Sequence, residues 1–301
     1  MLRPTSQFAF PMLSGITIVC FTASYSVALA MEVTRLFFRM PVRFFLIIGF
    51  TLAGLFAHTI HLWHRTQTGL TAGVPLSSWY DWALLAAWIL TALYLGWTVR
   101  RPQSPVGLFM LPVVLALIGL AYSLQNAQAF QRDRALQLWG LAHGILLMLG
   151  VVVVSFGFVA GLMYLVQSYR LKHKIQPGTL LRLPSLEWLQ QASKYMLFHS
   201  LLLILLGLGA GIVMNLIRTA GQGFVPWTDP VVISSGFLAA WLLAATIFEW
   251  TYKPAQAGRK VAYLTVANFV FLAAVLTMLA SGASDHAPMV PSANPVPEAP
   301  R

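Results

Sequence analysis

The sequence predicts an all-α fold, a polytopic transmembrane helical bundle of about eight spans. Three observations predict it. Of 301 residues, 58% are hydrophobic and only 9% are charged, whereas a soluble domain carries roughly 25% charged residues. Eight windows approach the ~20 apolar residues that a spanning helix needs, at about 12–31, 42–63, 79–98, 106–124, 139–166, 195–217, 231–251 and 261–281. The alternation of a strand is missing from all of them, and in lipid a helix satisfies its own backbone groups.

The net charge of +11 does not indicate a nucleic-acid partner, because the basic residues are sorted by connection. One set of connections and span ends carries thirteen: Arg35, Arg39, Arg43, Arg100, Arg101, Arg170, Lys172, Lys174, Arg182, Lys194, Lys253, Arg259 and Lys260. The alternate set carries six: Arg3, Arg65, Arg132, Arg134, Arg218 and Arg301. The positive-inside rule then places the first set in the cytoplasm and both termini outside it, as expected for a multi-pass protein of the bacterial inner membrane. Ala28-Leu29-Ala30 has the look of a signal-peptide cleavage site. The apolar stretch before it is longer than a usual signal core, and arginines follow, so a retained helix is expected. The single cysteine, Cys20, excludes a disulfide or a paired-thiol relay within the chain.

Residues 1–281 read as one membrane domain and 282–301, rich in Pro and Ala, as a disordered external tail. Between the fifth and sixth spans, residues 167–194 begin basic and end in LPSLEWLQQASKY. That second half reads as an interfacial helix running into the sixth span, with Pro184 near its first position.

Ionisable residues within a membrane are costly and are functional candidates by default. Five of the seven histidines, His58, His61, His64, His143 and His286, fall toward the outer face. Without a cysteine cluster or an HExxH arrangement they do not describe a zinc enzyme. Neutral imidazoles facing an apolar, aromatic-rich region suit haem iron better. The bland reading of each is a hydrogen bond between helices. The acids at span ends are Asp81, Asp229 and Glu249. Helix capping is the ordinary role for the first two, and pairing with Lys253 for the third. Trp63, Trp79, Trp82, Trp139 and Trp227 read mostly as a boundary belt.

The order of segments resembles the CcsA-type cytochrome c assembly proteins. The resemblance rests on AHTIHLWHRTQTGLTAGVPLSSWYDWALLAAW from Ala57, WGLAHGILLMLGVVVVSFGFVAGLMYLVQSYRLKHK from Trp139, and LPSLEWLQQASKYMLFHSLLLILLGLGAGIVMN from Leu183. It covers about residues 50–280. Between the sixth and seventh spans the family carries a tryptophan-rich haem loop, WGxxWxWDPKE, where this chain has GQGFVPWTDPVV. Trp227, Asp229 and Pro230 echo that loop, and its other tryptophans and Lys-Glu pair are absent. Ile247-Phe248-Glu249-Trp250 stands where the family's Leu-His-x-Arg is expected.

The resemblance implies a haem-handling protein of cytochrome c assembly that ligates and presents haem without enzymatic turnover. His143 and His286 would be axial ligands, and His58 would match the histidine of the second span. Trp227 and Asp229 would border the macrocycle, and Arg65, Arg132 or Arg134 would pair with propionates. The implied partners are membrane lipid, haem, a CcsB-like membrane protein and an apocytochrome c. Because the loop is degenerate, the chain equally resembles the HemX-like branch. That implies the alternative: a regulatory or scaffolding membrane protein that binds no haem and contacts a haem-biosynthesis enzyme through residues 167–194. A proton-sensitive solute transporter using the outer histidines is a third reading.

Overall fold

The computed structural model describes residues 18–37, 42–71, 78–126, 137–174, 182–218, 225–251 and 259–281. They form eight helices and, among the described residues, no strand: α1 (Ile18–Thr34), α2 (Arg43–Thr71), α3 (Trp79–Arg100), α4 (Gly107–Ser123), α5 (Gln137–Lys172), α6 (Leu186–Arg218), α7 (Pro230–Thr251) and α8 (Arg259–Ala280). Six of them, α2, α3 and α5–α8, are long and apolar enough to cross a membrane. The described parts of α1 and α4 are apolar but 17 residues each, or about 25 Å at 1.5 Å per residue. Of the about eight spans expected, six are shown among the described residues. Such a set of helices is that of a multi-pass membrane protein, whose outer surfaces contact lipid.

The helices pack as two rings of four. In the first, α1 packs on α2, α2 on α3, α3 on α4, and α4 closes on α1; α5–α8 repeat that order. The rings meet where α3 and α4 pack on α5 and where α4 touches α8, and among the described residues α2 and α5 make no contact. The principal core lies in the first ring and extends onto α5, α6 and α8. A second core, around Leu197, Ile204, Leu238, Leu242 and Leu272, fills the second ring.

Local sequence sets several helix starts. Ser78 caps α3: the Asp81 amide donates to its hydroxyl at 3.3 Å, and that hydroxyl donates to Asp81 Oδ2 at 2.8 Å. Asp229 caps α7, which opens with Pro230, its Oδ1 accepting from the Val231 and Val232 amides at 2.8 and 3.3 Å. The Ser185 hydroxyl accepts from the Trp188 amide at 3.3 Å, so α6 starts two residues after Pro184. From there it runs uninterrupted to Arg218. The expected interfacial segment is thus the first turns of a 33-residue helix. Two of its apolar residues pack on protein: Leu189 is wholly buried, and Trp188 packs on Trp97 with ring centroids 4.9 Å apart, whereas Tyr195 is exposed.

The α5–α6 pair is the most extensive in the molecule. Glycines allow the approach, since a Cβ on Gly150 would lie 2.9 Å from Ile204 and one on Gly207 2.6 Å from Leu147. Hydrocarbon offers no hydrophobic drive between helices, so close backbone packing carries their association. The bundle has a histidine end, with the start of α5 and the ends of α2 and α6, and an opposite basic end, with Arg100, Arg101, Arg170 and Lys172.

Candidate functional site at the histidine end

His143 lies one and a half turns into α5 and is half-buried. Its Nδ1 bonds the Gly207 carbonyl of α6 at 2.7 Å. A carbonyl only accepts, so Nδ1 carries the proton and the ring's lone pair resides on Nε2. The ring fits because position 211 is glycine: a Cβ there would lie 2.7 Å from Nδ1 and 2.8 Å from Cε1. The carbonyl and the glycine together fix both the tautomer and the plane of the imidazole.

The connection carrying Trp227 and Asp229 leaves the same helix end. Buried Asn215, near the end of α6, donates from Nδ2 to the Val225 carbonyl and accepts on Oδ1 from the Val225 amide, both at 3.0 Å. This two-point clamp returns the chain to the bundle two residues before Trp227, which is 47% exposed. Asp229 is buried as the α7 cap. A small cluster of Leu124, Val231 and Leu279, with Trp79 against it, ties the start of α7 to the ends of α4 and α8. The topology therefore gathers His143, Trp227 and Asp229 at one end of the second ring. His286, Arg132, Arg134 and the tail 282–301 lie outside the described residues.

His58 stands elsewhere. It is fully buried within the first ring, stacked on Phe21 with centroids 4.2 Å apart and planes 2° from parallel. Its Nδ1 shares a 3.3 Å hydrogen bond with the Tyr25 hydroxyl. Its Nε2 has no hydrogen-bond partner among the described residues. Because α2 and α5 do not touch, His58 and His143 belong to separate environments. His61 bonds the Tyr80 hydroxyl at 3.0 Å, and His64 is exposed. Arg65 bridges to Asp81 at 3.0 Å and lies over the Tyr80 ring. Ser78 is thus the cap of α3, and Asp81, expected to cap, instead accepts from the Ser78 hydroxyl and serves as counter-ion to Arg65. At the other end, His173 and His199 bond the Tyr169 and Tyr195 carbonyls of their own helices. Among the described residues, no group of three or more His, Cys, Asp or Glu side chains is placed to hold a metal ion.

Three arrangements escape sequence reasoning. Glu32, fully buried in α1, accepts from the Tyr94 hydroxyl at 3.1 Å and pairs with Arg35 at 3.1 Å. Arg35 also donates to the Pro102 and Gln103 carbonyls, at 3.4 and 2.9 Å. A Cβ on Gly107 would lie 2.6 Å from Glu32 Oε1, so α4 must begin with glycine to admit the pair. The available signal was an acid three residues before an arginine at the edge of an apolar run. Glu249 pairs with Lys194 of α6 at 2.8 Å, and Lys253 lies outside the described residues. The third is the Asn215 clamp, for which no local signal exists.

No protein-family model, no curated protein and no solved structure matches this chain.

Proposed function

We propose that this chain is a haem-handling membrane protein that holds haem at its histidine end and presents it to an apocytochrome c. In this reading the basic end faces the cytoplasm of a bacterial inner membrane, and a CcsB-like membrane protein is the companion subunit. The single observation that carries it is the His143 Nδ1 hydrogen bond to the Gly207 carbonyl. A histidine that ligates iron through Nε2 characteristically donates its other ring N–H to a carbonyl or carboxylate, which fixes its orientation and raises its basicity. His143 has that arrangement at the helix end from which exposed Trp227 projects, so these residues fit one axial ligand and an aromatic neighbour.

The chemistry haem would supply is an iron centre that takes nitrogen ligands. His143 would supply one such nitrogen, its ring plane fixed by the Gly207 carbonyl. His286 is the second by the resemblance to cytochrome c assembly proteins. Trp227 offers an apolar face. Asp229 caps α7 two residues after Trp227. The test is an absorption spectrum with pyridine haemochrome quantitation of the protein purified in mild detergent from haem-replete cells. A near-stoichiometric Soret band is expected, lost in His143→Ala and kept in Asp229→Ala. A band that survives His143→Ala sinks the assignment.

A second reading, a HemX-like scaffold that binds no haem, is favoured by one observation. Several candidates for haem contacts already have protein partners: Arg65 is paired with Asp81, Asp229 caps α7, and His58 is enclosed under Phe21. Its test is recovery of a cytoplasmic partner that is lost when residues 170–194 are replaced, from a protein that stays empty on haem addition.

A further inference from the structure

The connection between α3 and α4 and the residues before α6 form an open groove of about 370 Å³ at the basic end. It is lined by Arg101, Pro102, Gln103, Ser104, Arg182 and Leu183, with Pro184 at its edge. Five of the acceptors around it are already engaged. The Pro102 and Gln103 carbonyls accept from Arg35, and the Arg101 carbonyl accepts from the Ser104 amide at 3.0 Å. Gln103 Oε1 accepts from Arg182 Nη1, and Ser104 Oγ accepts from the Trp97 indole at 3.2 Å. What the groove offers is donors: two guanidinium groups, the Gln103 amide nitrogen and the Ser104 hydroxyl hydrogen.

The acids nearby do not neutralise it. Glu32 is buried and paired with Arg35, and exposed Glu187 belongs to the first turn of α6, outside the lining. Arg101 is held over the Trp97 ring, 5.3 Å from its centroid, and Arg182 by Gln103, so the guanidinium positions are set before any ligand arrives. The starts of α4 and α6 flank the groove and add positive potential.

We infer that this groove is a binding site for a phosphate group. Its depth, where α3 ends and α4 and α6 begin, is that of a membrane surface. A guanidinium matches phosphate oxygens in paired hydrogen bonds, and two of them on facing segments suit the phosphodiester of an anionic lipid headgroup. The soluble source of the same chemistry is a free phosphorylated compound. The inference does not depend on haem.

The experiment reconstitutes the full chain in mixed phosphatidylglycerol and phosphatidylcholine vesicles and measures retained lipid by native mass spectrometry, with and without millimolar inorganic phosphate. The expected result is a preference for phosphatidylglycerol that drops about fivefold in Arg101→Gln and again in Arg182→Gln. It stays at the wild-type level in Arg170→Gln, a basic-end arginine outside the groove. Gln103→Glu is the second variant. It keeps an acceptor for Arg182 and adds negative charge, and is expected to lose the preference without a change in melting temperature. Displacement by inorganic phosphate, with lipid class indifferent and displacement lost in the same variants, assigns the soluble source. Equal preference in wild type and all variants with no effect of phosphate, or an equal drop in Arg170→Gln, overturns the site.

Discussion

At the scale of single residues, buried polar groups carry the sharpest consequences, because each is costly when its partner is removed. The Glu32–Arg35 pair is enclosed at the basic end of the first ring. Removing one member of such a pair costs about 3–5 kcal/mol, since an uncompensated charge is left behind. Glu32→Ala is therefore expected to lower the thermal midpoint in detergent sharply, and Glu32→Gln, which keeps an acceptor for Tyr94, to lower it less. Equal midpoints for the two variants would show that the carboxylate itself is not what holds Arg35. At the other end, Gly211→Ala places a methyl group within 2.7 Å of His143 Nδ1, so the imidazole must turn away. The expected outcome is a weakened Soret band at near-normal expression. His58 poses the converse case, because its partner Tyr25 is also buried. Replacing both by apolar groups of similar shape is expected to cost less than the two single changes together, as a double-mutant cycle would measure.

At the scale of elements, the connections define the candidate site. The α6–α7 connection is tied down at Asn215 and restarts at the Asp229 cap. Asn215→Ala removes both bonds to Val225, so faster hydrogen exchange at the Val225 amide is expected, with α5 and α6 unaffected. Loss of the Asp229 cap costs about 1 kcal/mol and would act on α7 alone. The α5–α6 pair, closed by glycines facing Ile204, Leu147 and His143, is the rigid element against which these smaller fixtures are set.

At the scale of the whole molecule, two four-helix rings share one apolar seam along α3, α4, α5 and α8, and most basic residues lie at one end. Basic residues retained on one side of a membrane fix its orientation. The prediction is made in a Cys20→Ser background. A cysteine at Arg101 should be shielded from a membrane-impermeant maleimide in intact cells, and one at Trp227 should react. Labelling in the reverse pattern would invert the proposed orientation and move the histidine end to the cytoplasm.

Composition and periodicity by themselves determined the all-helical membrane class, the approximate places of the helices, and the capping role of Asp229. These are local quantities: hydropathy needs only a window of neighbours, and a cap reads only the next three amides. Of the eight apolar windows, six are helices of spanning length among the described residues, and the described parts of α1 and α4 are apolar but shorter. Tertiary structure alone decided which histidine was which. His58 and His143 look alike in sequence, each an imidazole within an apolar helix. One is closed in beneath Phe21 and Tyr25, and the other is aimed by a carbonyl 64 residues away. The Tyr94 partner of Glu32 and the Lys194 partner of Glu249 were beyond reach for the same reason. A charge in an apolar segment announces that it must be paired, but its partner is set by which helices the fold brings together.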